Sequence, residues 1–170
     1  MKNYYLIALL LIYWNSFSQK KEFDIQKEYS IKQVIADIDY TEKYLCKFHP
    51  EPFKYISRDS LHSFVNWLKS RVDTPLTEMQ TRYYIKRIIN KIGCGHTEVG
   101  ASKKYTKAIA KTNRPILPIN VFATDSSQLF VLNNFSNDST IKVGDEILSI
   151  DGHSTKQSLN TINAIYSSDG

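Results

Sequence analysis

The chain has 170 residues, of which 42% are hydrophobic and 23% are charged, and its formal net charge is +5. This hydrophobic content is sufficient for the packed core of one ordinary domain or of two small ones. The basic residues are spread along the chain without a block of like charges, so the composition gives little support to nucleic acid binding.

The first residues are typical of a secretory signal peptide. Lys2 precedes an uncharged, largely apolar run from Tyr4 to Trp14, and small polar residues follow that run. One early cation, a short apolar stretch and small residues before a cleavage site define such a signal. The run is also shorter than the roughly 20 apolar residues that a membrane-spanning helix needs. We therefore expect cleavage after Ser18, export to the periplasm or cell envelope, and no membrane span after cleavage.

Residues 30–97 follow a polar leader, residues 19–29, and carry three helical patterns. Ser30, Ser57 and Thr77 can each cap the start of a helix, and Gly93 is placed to end the third one. The apolar positions of the three patterns recur at helical spacing and are Ile31, Val34, Ile35, Ile38, Leu45 and Phe48, then Leu61, Phe64, Val65, Leu68 and Val72, then Met79, Ile85, Ile88, Ile89 and Ile92. Short connectors between such helices predict a small antiparallel three-helix bundle.

The turn Gly93-Cys94-Gly95-His96-Thr97 follows the third predicted helix. Its two glycines permit backbone angles that direct the His96 side chain away from the bundle. Imidazole has an unperturbed pKa near neutrality, which suits proton transfer. His96 is therefore a candidate general base, supported by Gly93, Gly95 and Thr97. The alternative is a structural, hydrogen-bonded histidine in a turn.

Two cysteines, Cys46 and Cys94, allow two interpretations. An even number of cysteines in an exported protein permits a disulfide, and the alternative is a pair of buried thiols. A zinc site would combine these cysteines with His49 and His96, but their spacing lies outside the usual zinc motifs. We therefore expect neither a metal nor a cofactor.

The remainder of the chain changes from helical to β-rich patterns. Residues 98–113 are predicted to be a lysine-rich connector or short helix, and residues 114–170 a β-rich domain. Two β-rich runs, Pro115–Thr124 and Gln128–Phe135, are separated by a predicted turn at residues 125–127.

Residues 143–170 contain two further turns, a strand and a helix. Residues 143–145 predict a tight turn, Glu146–Ile150 a strand, and Asp151-Gly152 a hairpin turn. Ser154 can then cap a final helix. The apolar residues of that helix are Leu159, Ile162 and Ile165.

Residues 144–152, Gly-Asp-Glu-Ile-Leu-Ser-Ile-Asp-Gly, together with this order of elements, resemble a PDZ domain from Pro115 to Tyr166. The resemblance implies that an extended peptide adds as a strand to the sheet edge, beside the final helix. The peptide-binding positions that it implies are Ile119, Val121, Leu159 and Ile162. The alternative is a structural PDZ domain without a free groove. Bacterial PDZ domains carry another strand after this helix, so we expect the domain to be incomplete at its C-terminus.

An exported helical bundle, a Gly-x-Gly-His-Thr turn and a PDZ-like domain, in this order, resemble the front half of the tail-specific, or C-terminal-processing, serine peptidases. The tricorn-core-like branch is the most similar, and the segment His49–Phe53, His-Pro-x-Pro-Phe, belongs to the resemblance. The family implies serine endoproteolysis with His96 as the base. Some members have a serine where this chain has Gly95, so that residue's role does not transfer. Other branches use a Ser-Lys dyad, in which His96 would have no direct role.

The sequence therefore predicts an α+β chain with an N-terminal three-helix bundle and a partial PDZ-like domain. No Gly-x-Ser-x-Gly stretch occurs in it. We expect an N-terminal fragment of a peptidase that acts on polypeptides, with its downstream nucleophile-bearing domain missing and with no activity on its own. The alternative is a non-catalytic envelope module that binds peptide C-termini.

Overall fold

A computed structural model describes residues 22–113, 116–124, 127–167 and 169. The predicted signal peptide, residues 1–18, lies outside the described residues, as does most of the predicted turn at residues 125–127. The fold is α+β, with helices and small antiparallel sheets. None of the helices formed by the described residues is long and apolar enough to span a membrane.

The elements follow one another in an order that places most helices before most strands. They are β1 (Glu28–Tyr29), α1 (Ile31–Phe48), α2 (Arg58–Lys69), β2 (Leu76–Thr77), α3 (Glu78–Ile92), α4 (Lys103–Ile109), β3 (Ile119–Ala123), β4 (Leu129–Asn134), β5 (Ser149–Ile150), β6 (His153–Ser154) and α5 (Thr155–Asn163). The predicted start residues Ser30, Ser57, Thr77 and Ser154 are all N-caps, and each side chain accepts a hydrogen bond from a backbone N–H in the first turn.

Helices α1, α2 and α3 pack against one another around one apolar core. Each helix contributes residues from its predicted apolar stripe. The most buried of them are Val34 and Ile38, Leu61, Val65 and Leu68, and Ile88 and Ile92. This burial, more than helix propensity, is what stabilises helices of such length in water.

Two expected core positions are exposed, and a third is buried as expected but lies outside its predicted helix. Phe48 is 58% exposed and Met79 is 51% exposed, because both lie at helix ends where the apolar stripe turns away from the core. Val72 is buried, but it follows the end of α2 and belongs to the connector to β2. The predicted helical face was therefore correct in the middle of each helix and wrong at Phe48 and Met79.

The polar leader contains a strand that the sequence did not predict. Glu28 pairs with Thr77 and Tyr29 pairs with Leu76, so that β1 and β2 form a two-stranded antiparallel sheet. This pairing places the residues before α1 beside the residues before α3. The starts of these two helices are therefore held together.

The β-rich residues form two hairpins followed by α5. Strands β3 and β4 are antiparallel with a bulge between Asn120 and Val121, and the segment around Glu146 continues on the other side of β4. The predicted strand Glu146–Ile150 is reduced to this one bridge and to β5. The predicted turn Asp151-Gly152 is confirmed, because both residues have positive φ and connect β5 to β6.

Gly93 ends α3 in the left-handed conformation, with φ of +65°. A Cβ atom at this position would also lie 3.0 Å from Cδ2 of Tyr55. We expect Gly93→Ala to lower the free energy of unfolding by about 1–2 kcal/mol, because alanine is strained at positive φ. Urea denaturation measures this loss.

Gly100→Ala is the matched control for this substitution. A Cβ atom there meets nothing within 4 Å, and the backbone is outside the left-handed region. Its unfolding free energy should stay within about 0.5 kcal/mol of wild type. Equal effects of the two substitutions would contradict the assigned conformation of Gly93.

Candidate functional site

His96 lies in a tight turn directly after α3. The backbone N–H of Thr97 donates to the carbonyl oxygen of Cys94 at 3.1 Å, which makes Gly95 and His96 the two central residues of the turn. The His96 side chain is exposed, and its imidazole makes no hydrogen bond to any residue that the structure describes. Both ring nitrogens are therefore available to an external group.

A second histidine holds this turn against the end of α1. Nε2 of His49 lies 3.1 Å from Oγ1 of Thr97, and the backbone N–H of Glu51 donates to Nδ1 of His49 at 3.2 Å. Since Nδ1 accepts, the neutral ring carries its proton on Nε2 and donates it to Thr97. The His-Pro-x-Pro-Phe segment and the glycine-histidine turn are thus connected directly.

The Cys94 thiol lies inside the same hydrogen-bonded network. The neighbouring Thr97 hydroxyl and the backbone N–H of His96 stabilise the thiolate of Cys94 and so lower the pKa of its thiol. The Thr97 oxygen accepts from His49, which leaves its hydrogen free for the sulfur. Thr97 therefore interacts with both His49 and Cys94.

The two cysteines are free thiols, so the disulfide considered from the sequence is not formed. They lie in different surroundings. Cys94 belongs to the turn, whereas burial raises the pKa of the Cys46 thiol on α1, and Glu42 raises it further. In the described part of the chain, no group of three or more histidine, cysteine or acidic residues is arranged to hold a metal ion.

These opposite pKa shifts predict different alkylation profiles for the two thiols. The thiolate is the reactive form, so the rate of Cys94 alkylation by iodoacetamide should rise at lower pH than that of Cys46. Cys46→Ser and Cys94→Ser variants isolate the two thiols for measurement. In the Cys46→Ser background, Thr97→Val should move the Cys94 profile to higher pH. An unchanged profile would show that the threonine hydroxyl does not stabilise the thiolate.

The other side of the turn contacts the residues that follow α5. The backbone N–H of Gly95 donates to Oδ1 of Asp169 at 2.8 Å. The side-chain amide of Asn90 donates to the carbonyl oxygens of Asn163, at 3.1 Å, and of Tyr166. These bonds connect the helical core to the end of the β-rich half at the position of His96.

A small cavity of about 170 Å³ lies at this junction. Gly95 and Thr97, the neighbours of His96, line it together with Lys86 of α3 and with Ile165 and Tyr166. The Lys86 ammonium lies 5.7 Å from the centre of the Tyr166 ring. The turn therefore lines this cavity between α3 and the residues that follow α5. The His96 imidazole is not among the groups that line it.

The four expected peptide-binding positions differ in accessibility. Val121 is 42% exposed and Ile162 is 43% exposed, whereas Ile119 is half-buried. Leu159 is buried, so its side chain packs within the β-rich half. Among the described residues β3 has a strand partner on one edge only, β4, so its other edge has free backbone groups.

Sequence reasoning missed two residues of this site. Sequence analysis assigned His49 no role in positioning His96, although it bonds to Thr97 across the fold, and Asp169 was not considered. The His-Pro-x-Pro-Phe resemblance was the one signal that could have identified His49. Nothing local in the sequence indicates Asp169.

Comparisons with protein-family models, with curated proteins and with solved structures found no match to this chain.

Proposed function

We propose that this chain supplies the general base and a peptide-binding unit of an exported serine endopeptidase of the tail-specific type, in its tricorn-core-like branch. In this proposal α1, α2 and α3 are the three-helix bundle of such enzymes, and residues 114–170 are their PDZ-like domain. The order of β3, β4, the β5–β6 hairpin and α5 supports the second assignment. Export rests on the signal-like residues 1–18.

The observation that carries the proposal is the position of His96. Its imidazole is exposed and makes no hydrogen bond to a described residue, but its backbone is fixed, because Thr97 is bonded to His49 on one side and Gly95 to Asp169 on the other. A general base must be held within hydrogen-bond reach of the proton it removes. A histidine that is fixed in this way, and whose ring has no described partner, is suited to act as the base for a nucleophile outside these 170 residues.

The chemistry follows the serine-histidine scheme. The imidazole accepts the proton of a serine hydroxyl while the serine oxygen attacks the peptide carbonyl carbon. The resulting imidazolium then donates that proton to the leaving amine as the carbon–nitrogen bond breaks. The proposal takes the serine, the oxyanion donors and the orienting carboxylate from outside these 170 residues.

The test is to find the nucleophile. The native protein is isolated from its source cells, labelled with a fluorophosphonate, digested and analysed by mass spectrometry. A labelled serine in a polypeptide that also contains residues 22–169, or in a stable partner of it, supports the proposal. The absence of labelling and of peptide hydrolysis would contradict it. A labelled serine whose activity depends on a lysine would assign the chain to the Ser-Lys branch.

A second function is favoured by the free edge of β3. A sheet edge with accessible Val121 and Phe122 is a template for an added peptide strand, as in a non-catalytic module that captures peptide C-termini. Calorimetry with matched peptides ending in a free carboxylate or an amide tests it. Tighter binding of the free carboxylate supports capture of C-termini, and equal binding contradicts it.

A further inference from the structure

The side of α2 and α3 that faces away from the core carries both aromatic and basic side chains. On each helix these side chains recur every three or four residues, so each set forms one stripe. The two stripes are in contact, because the guanidinium of Arg87 lies 5.1 Å from the centre of the Trp67 ring and 5.7 Å from that of Phe64. We call this surface the basic aromatic face, and its residues are Phe64, Trp67, Arg71, Tyr83, Arg87 and Lys91.

The aromatic rings of this face hold its cations in place. The guanidinium of Arg71 lies 5.2 Å from the centre of the Trp67 ring. The Lys91 ammonium lies 5.1 Å from the centre of the Phe64 ring. A cation is attracted to an aromatic ring at such distances. Since a ring carries no net charge, these contacts position the three cations without neutralising them.

The three cations of the face also have no acidic partner. None of them forms an ion pair with a carboxylate of a described residue. The acidic side chains of α2 and α3 are placed elsewhere, because Glu78 accepts two hydrogen bonds from Ser102 and Asp59 lines an open cavity between α1 and α2. Three positive charges concentrated on one surface attract an anionic partner.

Trp67 indicates which kind of anion this is. It is 42% exposed, and its indole N–H has no hydrogen-bond partner among the described residues. Tryptophan is enriched where the apolar part of a membrane meets its polar surface. Two guanidinium groups lie against this ring, and Phe64 stacks beside it with 5.7 Å between the ring centres. A ring surrounded in this way has little room for the base stacking by which single-stranded nucleic acids bind.

We propose that the basic aromatic face binds the surface of an anionic phospholipid membrane. Its cations contact the lipid phosphates, since arginine donors match phosphate oxygens. The indole of Trp67 enters the boundary between the headgroups and the acyl chains. The binding is peripheral and reversible, and it does not depend on the proposed peptidase function.

Co-sedimentation with lipid vesicles tests the proposal. The chain is used as it begins after Ser18, because the apolar run Tyr4–Trp14 would itself enter a membrane and every described element follows that point. Vesicles containing phosphatidylglycerol should bind it about 100-fold more tightly than pure phosphatidylcholine, since each cation contributes about fivefold at an anionic surface. About 1 M salt should remove this preference by screening. Equal binding to the two kinds of vesicle at millimolar lipid would overturn the proposal.

The fluorescence of Trp67 provides a second readout. The chain has two tryptophans, and Trp14 precedes the cleavage point, so the emission comes from the basic aromatic face alone. Anionic vesicles should shift this emission to shorter wavelength, and brominated acyl chains should quench it, because the indole lies at their boundary. Sedimentation with neither change would mean that another surface contacts the vesicle, and it would contradict the proposal.

Combined substitutions locate the binding on this face. One variant replaces its three cations with glutamine, as Arg71→Gln, Arg87→Gln and Lys91→Gln. It should lose about 100-fold in affinity for anionic vesicles. The matched control removes the same charge from exposed positions of α1 and α4, as Lys32→Gln, Lys43→Gln and Lys107→Gln. The control should bind within about threefold of wild type. Equal losses in the two variants would attribute the binding to net charge and overturn the assignment.

Two further measurements separate charge from packing and lipid from other anions. Arg71→Lys combined with Arg87→Lys keeps the charge, so it should bind vesicles within about threefold of wild type. Loss of binding in this variant would show that charge is not what binds, and would contradict the proposal. Oligodeoxythymidine and polyglutamate are the competing anions. Micromolar binding of either one through this face, without vesicle binding, would assign the face to a nucleic acid or an acidic protein and overturn the proposal.

Discussion

Replacing His96 with alanine is expected to lower kcat/KM for peptide hydrolysis about 100-fold or more in an active enzyme that contains this chain, because a positioned general base contributes on that order. The protein should still fold. The side chain of His96 is exposed, and the turn is held by the backbone of Gly95 and by the side chain of Thr97. Circular dichroism and thermal melting separate loss of activity from loss of structure.

His62→Ala is the control for this experiment. His62 is also exposed, but it lies on α2 and pairs with Glu42 at 2.9 Å. Its removal should leave kcat/KM within about threefold of wild type, as expected for a surface change away from the site. If His96→Ala is equally mild, the general-base assignment is wrong, and the Ser-Lys alternative becomes the better interpretation.

Local rules predicted the helices of this fold well. Ser30 and Thr77 each have a glutamine three residues later, and both form capping boxes in the structure. Gly93 ends α3 in the left-handed conformation that its position indicated. These features depend on residues within one helical turn of each other. A single sequence contains all the information needed to recognise them.

Pairings between distant residues were not predictable in the same way. The β1–β2 pairing joins Tyr29 to Leu76, and each strand has only two residues, too few for a period-2 pattern. The exposure of Phe48 has a related cause. Helical spacing identifies a face, but the length over which that face is covered depends on where the neighbouring helices end.

The candidate site likewise combines a local feature, which the sequence indicates, with distant contacts, which it does not. His96 could be selected from the sequence, because two glycines and a histidine form a local pattern. Its supports could not, because the bonds from His49 to Thr97 and from Asp169 to Gly95 join residues far apart in the chain. The candidate base lies in a local motif, whereas the groups that fix it, His49 and Asp169, lie far before and far after it in the chain.

Ile88→Ala is expected to destabilise the protein by about 2–5 kcal/mol, the range for truncating a fully buried isoleucine. Ile88 is 0% exposed and lies where α3 packs against α1 and α2, so the cavity left behind would be enclosed on all sides. The loss is a large fraction of the roughly 5–15 kcal/mol that stabilises an ordinary domain. Urea denaturation followed by circular dichroism measures it.

Met79→Ala on the same helix distinguishes the observed core from the one that helical spacing predicted. Spacing placed both residues on the buried face, but Met79 is 51% exposed in the first turn of α3. Its truncation should change the unfolding free energy by less than about 1 kcal/mol, since little apolar surface is lost and alanine favours the helix. A cost for Met79→Ala close to that for Ile88→Ala would mean that the Met79 side chain is packed in the core and would contradict its observed exposure.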